Sequence, residues 1–187
     1  MKKFLTALVV AAPATPAYSE EICNDLWFTR NSIFQAAGYC FGSPLGKSLF
    51  DNTGCTTSNP VLEESDRQKV SLIEQREAEL ACKVGTDTTS FDLNALSFRK
   101  LLKDHPIRTV YESACIGWQG PDRPVFAEKS EGAPIGSISA GDNVLYSHQE
   151  ENGWFFVTIY ALQDFNTLKG AGWLAASDEQ TCREYAG

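Results

Sequence analysis

Histidine is scarce in this sequence: His105 and His148 are the only two among 187 residues. No Cys-x-x-Cys occurs, and neither histidine lies near a cysteine pair. Zinc sites are built from such close ligand pairs, so no metal and no cofactor are expected. A serine or cysteine nucleophile would need one of the same two histidines as its base. His105 precedes a proline, and His148 sits in the polar run from Ser147 to Gly153. Both read as exposed loop residues, so no catalytic residue is expected and the chain reads as a non-enzyme.

Long apolar runs are missing too. Phe4 to Ala12 falls well short of the ~20 residues that cross a bilayer. Lys2 and Lys3 precede it, Pro13 and Pro16 follow, and Ala17-Tyr18-Ser19 places small residues where a signal peptidase reads. Residues 1–19 therefore read as a signal peptide cleaved after Ser19, with a periplasmic or secreted product. No membrane span is expected in the mature chain.

Positive charge is also in short supply. Sixteen Lys and Arg face 24 Asp and Glu, a net charge of −8, and loss of Lys2 and Lys3 takes it to −10. Neutralising phosphates requires clustered cations, so nucleic acid is excluded as a partner. The one basic stretch, Arg99, Lys100, Lys103, His105 and Arg108, reads as a solvated face.

Two motifs of chemistry are nearly present and fail on spacing. "YCFGSPLGKS", residues 39–48, ends in Gly-Lys-Ser, but Phe41 stands where a phosphate-binding loop needs its first glycine. Its residues read instead as a cystine corner and a helix start, with Ser43 as cap and Pro44 in the first turn. "GSISAG", residues 136–141, has Ser137 where a nucleophile elbow needs glycine before Ser139. The pairs Glu63-Glu64 and Glu150-Glu151 lie beside turns and read as solvated rims, since glycosidase carboxylates face each other across a cleft.

Six cysteines are present, all beyond the signal: Cys23, Cys40, Cys55, Cys82, Cys115 and Cys182. An even number in an exported chain reads as three disulfides. Cys40 and Cys55 flank a short helix and are expected to pair. That leaves Cys23, at the start of a first helix, for Cys82, at the end of a third. Cys115 and Cys182 bracket the β-rich tail and are expected to join its first strand to its end.

Residues 23–83 carry helical signals. Asn24 or Asp25 is placed to cap a helix through Leu26, Trp27, Ile33, Phe34 and Ala37, and Gly38 to end it. Leu45, Leu49 and Phe50 mark a short second helix. Ser65-Asp66-Arg67-Gln68 reads as a capping box opening a third, with Val70, Ile73, Leu80 and Ala81 as its stripe and Glu79–Lys83 as a favourable pair. Residues 84–113 read as a connector with a short helix between Asp92 and Lys103, stopped by Pro106. From Ala114 onward, short β-rich runs alternate with glycine turns: Pro124–Ala127, Ile135–Ile138, Asn143–Ser147 and Trp154–Tyr160. No fixed-period repeat or low-complexity segment occurs.

Two resemblances follow. Leu26-Trp27, Arg30-Asn31, Ile33-Phe34, Gly38-Tyr39, Phe41 and Ser43-Pro44 resemble the bacterial YARHG domain over roughly residues 23–83. Phe34-Gln35-Ala36-Ala37-Gly38 keeps the aromatic and the glycine of the defining motif and lacks its arginine and histidine. The resemblance implies architecture and export, without an activity. Pro134 to Gly141, Gly153-Trp154-Phe155-Phe156-Val157 and Gly172-Trp173-Leu174 are similar to the glycine-tryptophan pattern of bacterial SH3-like domains, over about 123–177. Here Phe126-Ala127-Glu128-Lys129 replaces an early Arg-Gly-Pro loop, and Ala161 to Lys169 forms an insertion.

The expected fold class is α+β: a signal peptide (1–19), a disulfide-tied helical module (20–83), a connector (84–113) and an SH3-like β-barrel (114–187). The SH3-like resemblance implies an aromatic groove, with Tyr146, Trp154, Tyr160 and Trp173 as candidates and Glu150-Glu151 as an acidic rim favouring a cationic partner. The two tryptophans also fit the core, where large aromatics dominate small domains. The expected function is non-catalytic binding in the bacterial envelope, to a protein or a peptidoglycan peptide. A wall or peptide hydrolase and a purely structural envelope protein are the alternatives.

Overall fold

The computed structural model describes residues 17–161, 164–177 and 182–187. The expected signal segment falls largely on residues 1–16, outside the described residues. The first helix, α1 (Ala17–Ala36), runs straight through Asn24 and Asp25, the expected caps. Neither caps anything, because both are buried and bonded across the fold: the Asn24 amide donates to the Asp92 carbonyl at 2.9 Å. Gly38 does terminate the helix. Its φ of 85° lets Tyr39 N–H donate back to Phe34 O at 3.0 Å, a backbone state that costs a side-chain-bearing residue more.

Ser43 caps α2 (Pro44–Leu49): its Oγ accepts from Gly46 N–H at 3.1 Å. "GSPLGKS" is thus a helix boundary, and Cys40 within it is oxidised. The third helix, α3 (Glu64–Glu79), starts two residues earlier than its capping-box signature, with Glu63 at the cap position and no side-chain cap bond. Gln68 reaches Glu64 instead of a backbone N–H, and Glu79 accepts from Gln75 rather than pairing with Lys83. Leu80 closes the helix, and Ala81 at φ 51° turns the chain out, so it leaves the apolar stripe.

These helices have α1 as their centre. Ile22, Leu26 and Ile33 pack on Val70, Ile73 and Ile107 along one side. Trp27 and Phe28 pack on Phe41, Leu45, Phe50 and Leu93 along the other. The short α4 (Leu96–Arg99) follows, smaller than the helix expected there. The connector also ends sooner than expected, because β1 (Arg108–Trp118) begins six residues before Ala114.

The remaining strands are β2 (Arg123–Phe126), β3 (Pro134–Ile138), β4 (Asn143–His148), β5 (Trp154–Tyr160), β6 (Leu168–Ala175) and β7 (Cys182–Ala186). Among the described residues they form one antiparallel sheet in the order β3-β2-β6-β5-β4-β1-β7. The expected barrel is therefore not closed: β3 and β7 are two separate edges. The sheet curls around one core drawn from β1 to β6, with Trp118, Val125, Ile138, Val144, Val157, Ile159 and Leu174.

The physical reason for the departure is visible in β5. Phe156, Val157, Thr158, Ile159 and Tyr160 are buried in succession, so both faces of the sheet centre are covered. Val157 and Ile159 enter the curl. Phe156, with Trp173 and Ala171 of β6, packs under Ala95, Phe98 and Leu102. A free-standing barrel would present that second face to water. Here the helical layer covers it. Gly172 marks where β2 crosses β6 closely, since a Cβ there would lie 3.0 Å from Phe126 O and 3.1 Å from Val125 Cβ.

All six cysteines are paired, as Cys23–Cys82, Cys40–Cys55 and Cys115–Cys182, the pairs expected from their order. Cys40 and Cys55 are separated by 15 residues in sequence. Their joint replacement by serine is expected to cost about 3 kcal/mol in urea unfolding, the chain-entropy value for a loop of that length. An unchanged midpoint would show that the α2 loop is ordered without its bond.

Candidate functional site

The sheet carries a groove of about 660 Å³ between the start of β1 and the end of β7. It forms because β1 bulges. Arg108 pairs with His148, and the next paired residue, Ser113, faces Tyr146, so residues 109–112 swing out of the ladder. Thr109 holds the bulge: its Oγ1 donates to Tyr111 O at 2.7 Å and accepts from Tyr111 N–H at 3.3 Å. One wall is Thr109, Tyr111 and Glu112. The other is Tyr185 to Gly187, and the floor includes Cys115, Tyr146 and Phe155. Tyr111 is 81% and Tyr185 66% exposed. Tyr146 meets Phe155 edge-on at 5.9 Å between ring centres.

The Tyr146 hydroxyl is buried and has no hydrogen-bond partner among the described residues. Burial pushes its pKa up to about 12, with the nearby Tyr185 phenol adding and Arg123 opposing. Buried tyrosine hydroxyls ordinarily find a partner, and leaving one unpaired costs about 1–3 kcal/mol.

The four aromatic residues expected to share a groove do not converge. Tyr146 lines it. Trp173 is fully buried on the opposite face of the sheet, with Nε1 donating to Asp104 O at 2.9 Å and the Lys129 ammonium 4.7 Å above its ring. Trp154 lies half-buried on that face, edge-on to Phe126. Tyr160 is buried, accepts from the Asn94 amide and packs on Phe165. Both tryptophans thus serve the contact between sheet and helical layer. The Glu150-Glu151 rim is also spent internally. Glu151 pairs with Lys69 at 3.2 Å and Lys129 at 2.8 Å, and Glu150 binds Gly153 N–H.

A second polar constellation lies inside the fold. Arg99 of α4 is 1% exposed, and its Nη1 donates to both oxygens of Asp25 at 2.8 and 2.9 Å. Its Nη2 reaches Thr29 Oγ1 at 2.6 Å. His148 Nε2 lies 3.0 Å from Asp25 Oδ2, and its Nδ1 lies 3.1 Å from Ser147 Oγ. Asp25 is best satisfied if Nε2–H donates to it, leaving Nδ1 to accept from the serine hydroxyl. Burial alone would raise the Asp25 carboxyl, but Arg99 and His148 hold it well below the carboxylate range. Burial drives His148 down to about 4 despite Asp25.

Asp25, His148 and Ser147 stand in the order of a charge-relay chain. Ser147 donates into the ring as a relay serine does, but its side chain is buried within the fold. The expectation of exposed loop histidines is overturned for both. His148 is enclosed, and His105 is mostly buried near Lys69 and Lys129, its Nδ1 without a partner among the described residues. The solvated basic face is corrected for Arg99 and Arg108, which are core cations, whereas Lys100 and Lys103 are exposed as expected. Their partners lie 74 positions away for Arg99–Asp25 and 39 away for Arg108 and the Ser147 carbonyl, distances that no local pattern announces. Among the described residues, no group of three His, Cys, Asp or Glu could hold a metal ion. No described helix is long and apolar enough to cross a membrane.

A disulfide-tied α+β chain, with a helical layer covering one face of a curled antiparallel sheet, is the class these features define. A family model described as "Domain of unknown function (DUF4453)" matches residues 81–187, more than half of the chain, and the chain belongs to that family. A YARHG domain model matches residues 2–78, supporting the first resemblance. The second half thus matches a family other than the SH3-like one it resembles. No curated protein and no solved structure matches the chain.

Proposed function

We propose that the chain is an exported, non-catalytic binding module of the bacterial envelope, and that its ligand seats in the groove between the β1 bulge and β7. The observation that carries this reading is the groove: concave, aromatic, flanked by two exposed tyrosines, with a hydroxyl in its floor that has no partner among the described residues. Sites for small ligands and peptides combine an apolar surface with a few convergent polar groups. Three disulfides suit an oxidising compartment, as the signal-like start also suggests. His148 supports a structural role over a hydrolase, since its enclosed ring meets Asp25 on one side and Ser147 on the other.

The test is retention of the purified chain by envelope extract and by insoluble peptidoglycan, comparing wild type with Tyr111→Ala. That residue is largely exposed, so its loss should leave the fold intact. Retention of the wild type and its loss in the variant is the expected result. Equal retention would remove the groove from the function. A peptidoglycan-hydrolysing activity abolished by His148→Gln, with circular dichroism unchanged, would replace the binding reading with the enzyme.

A further inference from the structure

We infer that the groove takes an extended, basic protein segment, whose backbone carbonyl accepts from the Tyr146 hydroxyl and whose cationic side chain meets the carboxylates beside the β1 bulge. This rests on the binding reading above and chooses between its two ligand classes.

Three observations carry it. The first is charge. Among the described residues that line the groove, Glu112 carries the one acidic side chain, and burial keeps His148 neutral at pH 7. Arg108 contacts Glu112, but that one buried cation also faces Glu21. Burial raises the Glu21 carboxyl, Arg108 opposes, and Glu112, Asp25 and Asp92 push it further up. The lining thus offers a carboxylate and neither lysine nor arginine, with Arg108 behind Glu112 and Arg123 near Tyr146 as the closest cations, on a chain already at −8. Wall stem peptides carry several free carboxylates and meet the wrong sign there, whereas Lys and Arg side chains meet the right one.

The second observation is the hydroxyl. A buried phenol without an acceptor is completed by a neutral carbonyl at less desolvation cost than by a charged group. The peptide backbone supplies such an acceptor at every residue. The third is shape. The groove runs along the β1 bulge, between Thr109–Glu112 on one side and Tyr185 on the other. An extended chain lies naturally along such a line, with alternate side chains over Phe155 and the Tyr111 ring.

The experiment uses the full mature chain and three fluorescein-labelled probes: a peptide of alternating Lys and Leu, its Glu–Leu counterpart, and a wall stem tetrapeptide. Binding is read by anisotropy, against Tyr146→Phe and Tyr111→Ala. The Lys–Leu peptide should bind. Tyr146→Phe should weaken it by about tenfold, at the upper end for one net hydrogen bond, while leaving thermal stability equal or higher. Rising salt should weaken it further, since exposed charges are screened within about 10 Å at 0.1 M. Preference for the Glu–Leu or the stem peptide, lost in Tyr111→Ala, would overturn this inference and leave the groove as the site. Lys–Leu binding indifferent to both variants would overturn the inference and the groove together.

Discussion

Replacing Arg99 with methionine is expected to lower the stability of the protein by about 3–5 kcal/mol, the usual cost of removing one partner from a buried ion pair. The cause lies in what is left behind. Asp25 loses both charge-assisted bonds from Nη1, Thr29 loses its bond from Nη2, and neither can turn to water. The guanidinium also stacks near Phe28 and Phe156, so its loss loosens aromatic packing on both the helical and the sheet side. Adding Asp25→Leu to Arg99→Met should recover part of the loss, because an apolar pair of similar volume removes the stranded charge. Urea unfolding of the wild type and both variants checks this. A shift below about 1 kcal/mol in Arg99→Met would mean that Asp25 finds water or another cation.

Stability is expected to fall steeply as pH drops from about 6.5 to 4, well before most carboxylates titrate. Burial holds His148 down to about 4 in the folded chain, and His105 down to about 3 with Arg99, Lys69 and Lys129 adding to the effect. In the unfolded chain both take a proton near 6.5. Below that pH the unfolded state binds more protons, so folding weakens as pH falls, until the folded pKa is passed. For His148 the depression corresponds to roughly 3 kcal/mol, at about 1.4 kcal/mol per unit. Asp25, held low in the folded state, adds a further loss below its unfolded value near 3.8. Glu21 and Glu77 work the other way, since burial raises both, and they offset part of the fall above about pH 4.5. Unfolding midpoints at pH 7.5, 6, 5 and 4 trace the curve. His148→Gln keeps a donor for Asp25 without the titration and should flatten it.

The helices and strands were legible where they depend on local chemistry. Gly38, Ser43 and Pro44 act through their own backbone, and the run Trp154–Tyr160 appears as β5 with the same bounds. What was hidden is how the two layers meet. Arg99 and Arg108 sit among other basic residues, and such a cluster on a short connector is normally wet. They are buried because carboxylates and carbonyls from distant segments receive them. The two tryptophans followed a recognisable pattern, yet that pattern does not say which face of a curled sheet a helical layer will cover. The groove was partly legible through Tyr146 alone. Tyr111 belonged to the segment read as connector and Tyr185 to the tail, and only the β1 bulge brings them to one place.

The Cys23–Cys82 bond has a consequence for how the gene can be divided. The YARHG match ends at residue 78 and the DUF4453 match begins at 81, so this disulfide crosses from one family segment to the other. Cut at that boundary, each piece carries three cysteines, and one thiol in each is left without its native mate. An odd thiol in an oxidising compartment seeks a partner in another molecule. The two family segments are therefore not separable as independently oxidised products: either piece made alone in an oxidising compartment would be prone to join a second copy through Cys23 or Cys82, and the chain is best regarded as one unit of oxidative folding.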